Sequence, residues 1–375
     1  MSRRALMLAP AAALACGRRK ARAFPGYCFV ANQQGRSVAA VDLTRFQVRK
    51  QIPLDAAPAA VVRHPVLPRV YVLAPETGTV YEIEAGPLAV TRRARAGNAA
   101  AAMQVSPGND ALWVLYRDPP ALVEFPFASF RPGRRIRLAS VPDSFDFSTR
   151  NQAAIASRRD GTLVVASLSR AAIERTIAVG AEPSLACFEW DGRQLIAGSQ
   201  SERLLTIFDV ATGKVVVRLP LPLEPRHFCF NSDGGQLFVS GDGLDAIVIV
   251  FPYTTEVDQT ILAGHAPGAM AVTSRQPPYL MVANPESNGI TVLDVDTREF
   301  VAVVQVGQEP RHILVTPDEE YVLVLNEKSG DLAVIRTLSL AQTPTGRQRR
   351  YKSAPLFTLI PVGERPVGGA VVGFA

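Results

Sequence analysis

An all-β fold made of repeated units is predicted by three observations. The first is a period. Val30, Val72, Val114, Ile155, Ala197, Val239, Val282 and Val324 each stand near the end of a short β-rich run, at steps of 42, 42, 41, 42, 42, 43 and 42 residues. Self-similarity at about 40–45 residues, with four strands per unit, means a propeller blade. The second is local: runs of β-branched and aromatic residues are bounded by Gly, Pro, Asn and Asp, with no sustained 3.6-residue apolar period. The third is composition. A chain of 375 residues, 47% hydrophobic, with 29 Pro and 27 Gly, can bury a large closed β domain and is not globally disordered. The prediction is a single β-propeller of eight four-stranded blades.

The chain opens on a leader, residues 1–23. Ser2-Arg3-Arg4 precedes an apolar, Ala-rich run from Ala5 to Ala15 that contains Pro10. At 11 residues this run is far below the 20 or so that a membrane-spanning helix needs. Ser2-Arg3-Arg4-Ala5-Leu6-Met7 resembles a twin-arginine export signal, and Ala13-Leu14-Ala15 and Ala21-Arg22-Ala23 each offer a cleavage site. Cys16 follows the first of these in a degenerate lipobox, which opens a branch with a lipid anchor at Cys16. Export to the periplasm or the extracellular space is expected. The leader also explains the net charge of +6: its six Arg and Lys are uncompensated, and without them the basic residues equal the 34 acidic ones. A nucleic-acid partner is therefore not expected.

The propeller is expected over residues 24–375. Its first strand begins near Tyr27 with no innermost strand before it. Innermost strands then begin after Pro58, Ala100, Pro142, Pro183, Pro225, Pro267, Pro310 and Pro366. Asp191-Gly192 and Asp233-Gly234 read as hairpin turns. The clearest copy runs Arg311 to Val315, a Pro317–Glu320 turn, Tyr321 to Leu325, a loop, and Asp331 to Ile335. A basic insertion, about residues 337–353, carries Arg347, Arg349, Arg350 and Lys352 and reads as a solvated loop. The final run, Pro366 to Phe374, has no strands after it, so it should complete the first blade and close the ring. Three cysteines outside the leader, Cys28, Cys187 and Cys229, lie in apolar runs and read as small buried thiols.

Val30-Ala31-Asn32 with Ser37 to Asp42, Val282-Ala283-Asn284 with Gly289 to Asp294, and Val324-Leu325-Asn326 resemble the YVTN β-propeller repeat, as does the run Val303 to Pro310. The resemblance implies the fold and not an activity. It also supplies the alternative of seven blades, the number many similar proteins have. The copies around Trp113 and Ile155 lack the Asn.

Function in this architecture is expected on the front face, where each innermost strand starts around the axial channel. Just after each opening residue stand Ala59, Ala101, Asp143, Ser184, Arg226, Gly268, Arg311 and Val367. Arg226 and Arg311 each belong to a Glu-Pro-Arg-His tetrad. With His265 between them, Arg226, His227, Arg311 and His312 form a candidate ligand-binding arc, predicted to be the most electropositive part of the mouth. His227, His265 and His312 are also the candidate metal ligands, while His64 lies by the opposite turn. No nucleophile elbow, H-E-x-x-H, P-loop or haem-attaching motif occurs, and no catalytic residue is assigned. The expectation is an exported, non-catalytic monomer that binds a small anionic ligand or an envelope protein, with no cofactor. The alternative is a lactonase-like propeller, or one that handles haem or metal like the haem domain of periplasmic nitrite reductase.

Overall fold

The computed structural model describes residues 23–180, 182–340 and 354–374. These residues form eight antiparallel four-stranded sheets. Blade 1 joins Gly26–Asn32, Ser37–Asp42 and Gln47–Pro53 to the C-terminal strand Pro366–Gly373. Blades 2 to 8 follow in chain order, and their innermost strands are Ala60–Arg63, Ala99–Val105, Ser144–Phe147, Pro183–Phe188, Glu224–Phe230, Met270–Val272 and Pro310–Val315. The last of the eight, Pro366–Gly373, pairs with the first strand from Gly26↔Gly373 to Ala31↔Gly368. The closure is eight-bladed, and it leaves no inner edge open.

Each blade is a meander, with the second and third strands the most buried. Val30-Ala31-Asn32 and Val38 to Val41 are fully enclosed, because both faces of a blade pack on its neighbours. Outer strands alternate with solvent, as Gln47–Pro53 does. Gly192 and Gly234 take the positive φ that their hairpin turns need. Cys28 is buried, Cys187 and Cys229 are half-buried, and all three are free thiols. Cys16 and the basic part of the insertion lie outside the described residues. Among the described residues no helix is long and apolar enough to cross a membrane.

The repeat Asn has a structural task. Asn32, Asn284 and Asn326 are buried. Asn32 Nδ2 donates to the Val362 carbonyl at 2.8 Å, and Asn284 Nδ2 donates to that of Ala263 at 2.8 Å. Both acceptors sit just past the outer strand of the preceding blade, so the amide is a clasp between blades. In blade 3, Tyr116 holds the Asn position. Its hydroxyl accepts from Ala96 N–H at 3.1 Å and donates to the Gly78 carbonyl at 3.0 Å. The copy that departs from the repeat thus keeps the clasp with a different side chain.

A second ring of equivalent positions caps the rear turns. His64, Ser106, Ser148, Asn231, Thr273 and Thr316 each accept backbone N–H groups of the turn that follows its innermost strand. In blade 5 this position is Glu189, 3% exposed, whose Oε1 is buried without a partner among the described residues. Just before that ring, the ends of the innermost strands present Phe147, Phe188 and Phe230 on one arc, but Val315, Val371, Arg63 and Val105 on the other. Phe188 is packed between blades 4 and 5, and Phe147 and Phe230 are half-buried against the inter-blade core, while beside the smaller side chains of the other arc lies a cavity of about 750 Å³.

Candidate functional site

The register that builds the ring brings Arg226 and Arg311 to equivalent places on the innermost strands of blades 6 and 8, each followed by its His. Both guanidinium groups have carboxylate partners. Arg226 Nε lies 2.5 Å from Asp242 Oδ2. Arg311 Nε lies 3.2 Å from Glu327 Oε2 and 3.7 Å from Glu309 Oε2. Glu224, the tetrad acid of blade 6, pairs instead with Arg203 at 3.3 Å. Glu327 is shared, because Arg365 Nε approaches its other oxygen at 2.6 Å.

These contacts correct the expectation of a strongly positive arc. Beside Arg311 lies a front-face cleft of about 600 Å³, lined among others by Glu309, Glu327, Glu364, Lys328 and Arg365. Three acids against three bases, Arg311 included, make this part of the mouth close to neutral. Exposed pairs of this kind contribute little to stability and exchange partners readily, so the arginines stay open to a competing anion. Arg365 could have been found in the sequence: it precedes Pro366 at the start of the closing strand, as Glu309 precedes Pro310.

The histidines divide into three environments. His312 is half-buried, and its Nε2 is buried without a hydrogen-bond partner among the described residues. Burial holds its pKa below the usual histidine value. His227 keeps an exposed edge, yet desolvation, and then the charges of Arg226 and Arg311, lower its pKa as well. The influence of Arg311 on His227 across the mouth brings blades 6 and 8 into one electrostatic neighbourhood. At the level of these two imidazoles, the intervening blade presents Ala269 and the following ones Gly368 and Ala60. His265 stands apart. It is clamped between Asp245, with Nδ1–Oδ1 at 3.0 Å, and Glu286, with Nε2–Oε2 at 2.9 Å. Both acids lie in loops between second and third strands, further from the axis than the innermost strands. The hydrogen bond to Asp245 and the two negative charges raise its pKa.

His64 is in the rear turn. Its Nδ1 accepts from Leu67 N–H at 2.9 Å and from Val66 N–H at 3.1 Å, and its ring packs 4.5 Å from Phe127. Burial and the charge of Arg69 hold it neutral, which suits an imidazole nitrogen acting as acceptor. Among the described residues no group of three His, Cys, Asp or Glu side chains is placed to hold a metal ion.

Sequence reasoning missed Glu189. Burial and the charge of Asp191 push its carboxyl up to about 7. The signal was present: the equivalent position is His, Ser, Asn or Thr in the six other blades with this rear turn, and only here an acid.

Residues 215–344 match the model of the family described as lactonase, 7-bladed beta-propeller. A curated relative, the seven-bladed beta-propeller protein Rv1057 of Mycobacterium tuberculosis, is 25% identical over 152 residues, 39% of this chain and 38% of its own length. Both are described as seven-bladed, whereas the ring here has eight blades. Among solved structures, the dihydro-heme d1 dehydrogenase NirN in complex with DHE superposes with a TM-score of 0.76 at 18% identity, covering 92% of this chain and 75% of NirN. Hydrazine synthase of Kuenenia stuttgartiensis gives 0.59 at 18% identity, over 75% of this chain and 95% of that one. A protein of unknown function from Desulfotomaculum acetoxidans gives 0.62 at 12% identity, over 93% and 100%. These identities establish a shared fold, not a shared activity.

Proposed function

We propose that this protein is an exported, non-catalytic propeller that binds a small anionic ligand at the front mouth of its channel. One observation carries the reading: the buried, unpartnered Nε2 of His312 directly follows Arg311 on an innermost strand. A buried polar atom left without a partner costs about 1–3 kcal/mol, a cost that a ligand atom at this place would remove. Arg226 and Arg311 would release Asp242 and Glu327 and take the anion, with neutral His227 and His312 beneath as hydrogen-bonding groups. The leader with its paired arginines supports export, and mass spectrometry of the mature N-terminus tests it.

Calorimetric titration with small dicarboxylates and with inorganic phosphate tests the binding. The Arg226→Ala/Arg311→Ala variant should bind at least tenfold more weakly and melt at the parental temperature. Equal binding by the variant, or no heat from any anion, overturns the reading.

The likeness to NirN, solved with a haem-type ligand, favours a second reading at the same place. A tetrapyrrole would find an unpartnered imidazole in His312 and carboxylate-binding groups in Arg226 and Arg311. Such a group supplies redox or ligand-binding chemistry at its metal, and the chain would supply its position and its shielding from water. A visible absorbance band in protein from the native host selects this reading. The lactonase likeness is tested by lactone turnover, which the non-catalytic reading expects to be absent.

A further inference from the structure

We propose that the rear end of the channel is a second binding site, for a small molecule with an apolar body and a single carboxylate. The cavity of about 750 Å³ has the size and character of small-molecule sites: a mostly apolar wall with a few polar groups placed around it. Val62, Val105, Leu314 and Val315 on this wall are only half-buried, whereas Val61 and Ile313, on the same strands, are packed. The apolar surface is therefore continuous and left open on the arc without phenylalanines.

Arg63 is the only charged residue lining this cavity, and among the described residues it has no ion-pair partner. Its backbone is set by pairing with Val70 and by the His64-capped turn that follows. Gln104, also on the wall, spends its amide donor on the Phe145 carbonyl at 3.0 Å. One cation above an apolar wall selects one carboxylate, which a guanidinium can bind through two parallel hydrogen bonds. A neutral ligand would leave Arg63 unmatched, and a cationic one would be repelled. The site is independent of the front mouth, since it uses the opposite ends of the strands and none of Arg226, Arg311 or the histidines.

Titration of the full chain with decanoate, decanol and decylamine tests this. Decanoate should bind saturably and at least tenfold more tightly than decanol, with decylamine weakest. Arg63→Gln, at an exposed position that leaves packing intact, should reduce decanoate to the affinity of decanol. Val105→Trp should fill the cavity and abolish binding of both, while Arg226→Ala should change neither. Equal affinity for decanoate and decanol, full decanoate binding by either Arg63→Gln or folded Val105→Trp, or the absence of saturable binding, overturns the proposal.

Discussion

The two ends of the channel are the two ends of the same eight strands, yet they are built on different terms. At the front, small residues surround a few long charged ones, and Asp242, Glu309 and Glu327 from the strand ends and loops compensate Arg226, Arg311 and Arg365. At the rear, valines on one arc line an open cavity, and Arg63 faces it with no carboxylate partner among the described residues. The difference teaches that charge in this ring is matched where loops can bring a partner. The tight capped turn beside Arg63 brings none among the described residues.

The largest expected effect is common to both ends. The closing strand Pro366–Gly373 buries Ala370, Val371 and Val372 and contributes Gly369 to Val371 to the rear cavity, while Arg365 before it contributes to the front. Deleting residues 364–375 should cost about 5 kcal/mol or more through lost burial and ladder bonds, and eliminate binding at both ends. A truncated protein that melts within two degrees of the full chain would show that closure does not hold the ring.

Glu189 gives the next effect, confined to the rear. Its folded-state pKa of about 7 stands above the ordinary value of 4.5, so the folded state favours the protonated carboxyl. The stabilisation this provides is complete below about 4.5 and is lost as pH rises through about 7. Stability should therefore fall over that range by up to about 3 kcal/mol, and Glu189→Gln should flatten the dependence. Urea unfolding at pH 5 and pH 8 decides it: parallel curves for parent and variant would remove Glu189 as the cause.

Asn284→Ala should cost about 1–2 kcal/mol, because the Ala263 carbonyl and the Thr291 hydroxyl lose their buried partner. Chemical denaturation measures this. Asn326→Ala should cost less, since the amide of Asn326 is bonded to Asp331 within its own blade. A result in the reverse order would place the clasp elsewhere.

The smallest effect bears mainly on the front end. In an NMR titration His265 should titrate above the ordinary 6.5, and His227, His312 and His64 below it. Because His265 is exposed, its Ala variant should leave the melting temperature unchanged. A His312 midpoint above 6.5 would mean that its imidazole has a partner after all.

The 42-residue period, the opening prolines, the missing innermost strand at one end and the orphan strand at the other determined the blade number and the closure, because a ring with one strand missing at its start and one spare at its end can close in only one register. The same register placed Arg226, His227, Arg311 and His312 at equivalent levels on one face, since strand pairing fixes every residue to its level. What pairs with those residues was decided only in three dimensions. Asp242 and Glu327 stand at or just past the end of the second strand of the same blade and reach Arg226 and Arg311 across the strand pair, while Arg365, from the closing strand's entry, reaches Glu327 from the next blade. The repeat Asn became an inter-blade clasp because its acceptor lies in the preceding blade, 330 residues away for Asn32. The rear cavity likewise belongs to no single repeat: its lining comes from blades 8, 1, 2 and 3, which stand side by side only once the closing strand has completed the ring.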